Sequence, residues 1–113
     1  MFSHVMLGSS DRERSKKFYD ATLGALGIAA GQDMGKSDWW MTREGSLGIG
    51  EPLNGQSCSH GNGSTIGFRA PSAEAVDAWH AAGVANGGTS CEDPPGIRDG
   101  GFGKMYLAYL RTW

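Results

Sequence analysis

Residues 3–28, SHVMLGSSDRERSKKFYDATLGALGI, hold a strand, a capped helix and a glycine stop. From Phe2 to Leu7 the side chains alternate, Val5 and Leu7 on one side and His4 and Met6 on the other, which is the two-residue period of a strand. Ser10 and Glu13 have the spacing of a capping box, in which hydroxyl and carboxylate each take an orphan backbone N–H at a helix start. The helix that follows places Phe18, Tyr19, Leu23 and Leu26 at helical spacing, and Gly24 and Gly27 stop it. Further strands are expected at Ile28–Ala30, Asp38–Thr42 and Leu47–Glu51, separated by glycine and polar turns.

The same order of signals returns later. Ser64–Arg69 reads as a strand, Ser72 as a helix cap, and Val76, Trp79, His80 and Gly83 as one helix face. Displaced by 61 positions, the halves superpose: Val5 falls on Ile66, Leu7 on Phe68, Asp11 on Ser72, Glu13 on Glu74 and Phe18 on Trp79. Core-facing strand and helix positions coincide together, which marks an internal duplication. The first module covers about 1–52, a glycine- and serine-rich linker about 53–63, and the second module about 64–113. In the second module Thr89–Glu92 and Lys104–Leu110 are strand candidates flanking a loop, Asp93–Gly101. Each half reads strand-helix-strand-strand, and only the first adds a fourth strand.

A chain of 113 residues suffices for one domain with one core. Its 39% apolar content, with four Trp, three Tyr and four Phe, predicts a folded chain. A formal charge of −2 with no basic block argues against nucleic acid or an anionic membrane as partner, and points to a small neutral molecule or a protein surface. The 19 glycines, against about 8 at average usage, imply many turns and close backbone approaches. No apolar run reaches the ~20 residues of a membrane helix. Without a charged leader before the first strand, Cys58 and Cys91 are expected to be reduced thiols in the cytoplasm, and the Asn62 sequon is not expected to be glycosylated.

The pattern His4-x-x-Leu7, Asp11, Ser15, Phe18-Tyr19 and Leu23-Gly24 resembles the opening of the glyoxalase/bleomycin-resistance/extradiol-dioxygenase group, the vicinal oxygen chelate superfamily. Near the end, FGKMYLAYLR resembles the penultimate strand of that family. The resemblance implies an α+β fold of two βαβββ modules curled around a cleft, here with the second module lacking its last strand. In metal-dependent members the cleft holds a divalent ion, with a His on each first strand and further ligands on the last strands. His4 takes the first of these positions, Thr65 is its counterpart by the repeat, and the fourth-strand position falls at Ile49 with Glu51 one pleat beyond. One sure donor and one further candidate do not make a site for a hard cation, so no intact metal centre is expected, with His4 and Glu51 as the residues that would serve one.

The other candidates are weighed on chemistry. Trp39 and Trp40 point to opposite faces of one strand, one toward the core and one toward the cleft as an aromatic wall. Tyr106 shares a face with Lys104 and Ala108, while Met105, Leu107 and Tyr109 form the other. Phe102 reads as a side chain on a cleft-edge loop. The run Gly100–Lys104 lacks the spacing and the Ser or Thr of a phosphate loop, and Cys58-x-His60 lacks a second ligand pair. The expected function is binding of a small aromatic or amphipathic molecule by His4, Trp39, Trp40, Ile49, Thr65, Phe102 and Tyr106. The alternatives are a metal-dependent lyase or isomerase with Glu51 as general base, and a module used for assembly. A homodimer is expected, because a sheet without its last strand leaves an open edge.

Overall fold

The structure is a computed structural model and describes residues 1–59, 61–100 and 103–112. His60 and Phe102 therefore lie outside the described residues. The architecture is α+β, two βαβββ-like modules in tandem whose sheets stay open rather than closing into a barrel.

The first module runs β1 (His4–Gly8), α1 (Arg12–Ala25), β2 (Gln32–Asp33), β3 (Ser37–Thr42) and β4 (Gly45–Gly50). Its sheet has the order β1-β4-β3-β2: β4 is inserted centrally, parallel to β1 and antiparallel to β3. The α1 cap is Asp11 rather than Ser10, because the Asp11 carboxylate accepts the Arg14 N–H at 3.1 Å. Ser9 is then free to bridge the turn, its Oγ 2.6 Å from Ser15 Oγ and accepting the Asp11 N–H. Leu26 caps the helix C-terminus and Gly27 follows with φ +86°, a left-handed conformation that suits glycine. Gly24 lies inside the helix, and Ile28–Ala30 form no strand.

The core is built from the alternation. Trp40 (2% exposed), Leu47 and Ile49 (1%) meet Leu23 from α1, with Val5, Leu7, Tyr19 and Leu26 packed around them. Asp20 holds this layer together: its carboxylate accepts the Trp40 indole N–H at 3.0 Å, the Gly31 N–H at 2.8 Å and the Lys16 ammonium at 2.7 Å. Burial works to raise the Asp20 carboxyl, but these three donors outweigh it and hold the group below the ordinary carboxylate range. Arg12 ties the helix start to the β2–β3 hairpin through Asp38, the Gly35 carbonyl and Asp33.

The second module contains α2 (Ala73–Ala85), capped by Ser72 as the sequence predicts, then β5 (Thr89–Gly100) and β6 (Gly103–Arg111) paired as an antiparallel hairpin. The expected loop at Asp93–Gly101 is largely strand. Its two prolines cannot donate to a ladder, so they sit in a bulge between Cys91 and Gly96, beyond which pairing resumes. Ser64–Arg69, expected as a strand, joins no ladder. Its counterpart β1 enters its sheet only through β4, and among the described residues no strand stands in the equivalent place. The helices pack on each other, and α2 packs on β5 and β6. Leu110 lies against Gly83, where any side chain would collide with it.

Candidate functional site

Because α1 covers the Leu47–Ile49 face of the first sheet, alternation turns His4, Met6, Trp39 and Met41 to the opposite face. Two glycines on β4 shape this surface. The Trp39 indole lies over Gly48, so close that a Cβ there would stand 2.6 Å from the ring, and Met6 lies over Gly50 in the same way. His4 meets the Trp39 ring edge-on with 5.8 Å between centroids, and Trp39 Nε1 donates to Ser37 Oγ at 2.8 Å. His4 Nδ1 is 2.7 Å from Ser3 Oγ. The result is a platform of one indole, one imidazole and two thioethers, with Met6 48% and Met41 53% exposed. No described strand or helix packs on it, and the β5–β6 hairpin does not reach it.

The expected site residues separate. Trp39 faces this surface and Trp40 is core. Ile49 lies on the helix side, lining a cavity of about 320 Å³ with Leu7, Phe18, Tyr19, Cys58, Ser64 and Thr112 among others. Tyr106 turns toward α2, its hydroxyl donating to Asp77 Oδ1 at 2.7 Å, which leaves Met105, Leu107 and Tyr109 on the other face of the hairpin. Thr65 is exposed on the unladdered segment. Met6, Met41 and the glycine floor under Trp39 were missed as site residues, although the alternation that assigned His4 also assigns Met6.

The donor set does not fit a divalent ion. His4 pairs with Ser46 at one end of the β1–β4 ladder, whereas Glu51 lies one residue beyond the Gly8–Gly50 pair at the other end. Five residues at about 3.3 Å each put them roughly 16 Å apart, far more than ligands of one ion can span. Among the described residues no three His, Cys, Asp or Glu side chains group together to hold a metal.

A family model, the Glyoxalase/Bleomycin resistance protein/Dioxygenase superfamily, matches residues 1–110. The chain belongs to this superfamily. A crystal structure of a glyoxalase/bleomycin resistance protein from Albidiferax ferrireducens T118 is 60% identical, with a TM-score of 0.97, over 99% of this chain and 90% of that one. No curated protein matches. The chain thus has a glyoxalase/bleomycin-resistance-like fold, and its described residues hold no metal-binding cluster. None of the described helices is long and apolar enough to cross a membrane.

Proposed function

We propose that the chain binds a small aromatic or amphipathic molecule on the open face of its first sheet, between His4, Met6, Trp39 and Met41. The observation that carries this reading is the Trp39 indole seated on the Gly48 backbone with His4 edge-on beside it. A flat aromatic surface held on a glycine floor is prepared for a planar partner, because the ring loses little freedom on binding. Bleomycin, which gives the superfamily part of its name, is a natural first probe, together with neutral fused-ring aromatics. The lyase or isomerase reading lacks support in the separation of His4 from Glu51.

We infer further that a second copy completes this cleft. The platform and the Met105, Leu107 and Tyr109 face of the hairpin are both open within one chain, and a homodimer could lay one against the other. The low net charge fits partners other than nucleic acid, and the free thiols Cys58 and Cys91 fit the cytoplasm.

Tryptophan fluorescence titrated with these probes tests the binding. A saturable change that is lost in Trp39→Ala and kept in Tyr106→Phe is expected. A panel of probes producing no change in fluorescence or melting temperature would leave assembly as the function. Sedimentation at micromolar concentration should give twice the chain mass, and a monomer would refute the shared cleft.

A further inference from the structure

Strand alternation gives β1 and β4 two different faces. Met6 and the Gly48 floor of Trp39 belong to the open face, whereas Leu7 and Ile49 turn toward α1. On that helix side lies the cavity of about 320 Å³. Its apolar wall is Leu7, Phe18, Tyr19 and Ile49, with Phe18 3% and Ile49 1% exposed. The Phe18 and Tyr19 rings meet edge-on, 5.0 Å between centroids.

The exposed part of the lining has another chemistry. Ser10, Ser59 and Ser64 form this rim, and none of their hydroxyls has a partner among the described residues. Ser10 is free because Asp11 caps α1 in its place and Ser9 bonds Ser15. The half-buried Cys58 thiol also lines the cavity, against Gly8, where a Cβ would stand 3.1 Å from its Sγ. Thr112, hydrogen-bonded to the Tyr19 hydroxyl, lines it too. Ser64 and Thr112 apart, the described lining residues belong to the first module and the linker. None of them carries a carboxylate, ammonium, guanidinium or imidazole group.

We propose that this cavity is a second binding site, on the other face of the sheet from the platform, for an uncharged single-ring aromatic alcohol of the phenol class. The ring goes to the apolar wall: an apolar cavity of about 150 Å³ already holds benzene, so this one has room for a ring and its substituents. Phe18 and Tyr19 offer that ring aromatic faces and edges. The ligand hydroxyl stays at the rim, where serine hydroxyls both donate and accept, as a phenol does. An anionic ring would shed its water with no cation to receive it, and a cationic ring would find no carboxylate.

Alkylation of Cys58 and Cys91 by iodoacetamide at about pH 8, where phenol is neutral, reads the site by mass spectrometry on the 113-residue chain. Phenol should slow Cys58 saturably, by at least about threefold, and leave Cys91 unchanged. Benzoate and benzylammonium should leave both thiols unchanged. Ser64→Trp, which sets an indole on the exposed rim, should abolish the phenol effect. Because the indole itself can shield the thiol, phenol-induced shifts of the Gly8 and Ser10 amide resonances are followed as well, and they should vanish in the same variant. Trp39→Ala should keep both responses, since Trp39 is on the opposite face. No slowing by phenol, equal slowing of Cys91, an equal effect of benzoate or persistence of the amide shifts in Ser64→Trp overturns the proposal. Loss of the responses in Trp39→Ala overturns it too, by assigning phenol to the platform.

Discussion

In the first half of the chain Trp40, Leu47 and Ile49 are shut between a four-stranded sheet and α1, whereas in the second half Ile66, Val84, Ile97 and Met105 remain open. Every buried hydrophobic side chain described, Phe18 and Leu23 included, belongs to the first module, and α2 buries only Gly83. Both halves carry a strand pattern, a capped helix and a hairpin, so local propensity does not explain the contrast. The difference is β4, which touches β1 and β3 at once and contributes two of the five buried hydrophobic residues. A strand inserted centrally turns an amphipathic pattern into a core, because it supplies both the ladder and the side chains that the helix needs.

The contrast can be broken most directly by local opening. Amides of Leu47 and Ile49 should exchange only through global unfolding, at about 5–15 kcal/mol, while those of 65–68 should open at nearly no cost. Equal protection in native-state exchange would abolish the distinction between the modules. Truncation comes next: Trp40→Ala should cost about 3–5 kcal/mol in urea denaturation, from a cavity at a 2% exposed site. Ile97→Ala, at 70% exposure, should stay within about 0.5 kcal/mol.

Asp20 sharpens the comparison through pH. Asp20→Ala should destabilise the chain by about 1–3 kcal/mol, because the Trp40 indole N–H and the Gly31 N–H lose their acceptor. Its carboxyl is lowered in the folded chain, so the unfolded chain binds the proton more readily. The stabilisation is full above the ordinary carboxylate pKa of about 3.9 and fades as pH falls through the lowered folded value. The acid midpoint of the variant, followed by near-ultraviolet circular dichroism, should therefore lie at higher pH than that of the parent. Gly48→Ala carries the comparison to the open face of the first sheet. A methyl there meets the Trp39 ring and should lift it from the sheet, costing about 1–3 kcal/mol and weakening the fluorescence response to aromatic probes.

Much of the architecture was legible in the chain. The 61-residue repeat, the helix faces and the opposite orientations of Trp39 and Trp40 all follow from periodicity. Less legible were the α1 cap and the extent of β5. Ser10 and Asp11 are both good caps, and only the geometry of the Ser9 turn selects Asp11. The prolines at 94 and 95 read as a loop because a bulge that readmits pairing beyond them depends on partner residues three to eleven positions later in the chain.

The candidate site divides along the same line. His4 and Trp39 belong to strands with a strict two-residue alternation, so the sequence by itself determined that each shares a face with particular neighbours and opposes others. It did not determine which face a helix would cover, since both faces of β3 offer a tryptophan. The tertiary structure decided that when Leu23 and Asp20 of α1 met Trp40, leaving Trp39 on the Gly48 floor. It also decided that His4 and Glu51 stand at opposite ends of one ladder, because register is a property of two strands and neither carries it alone.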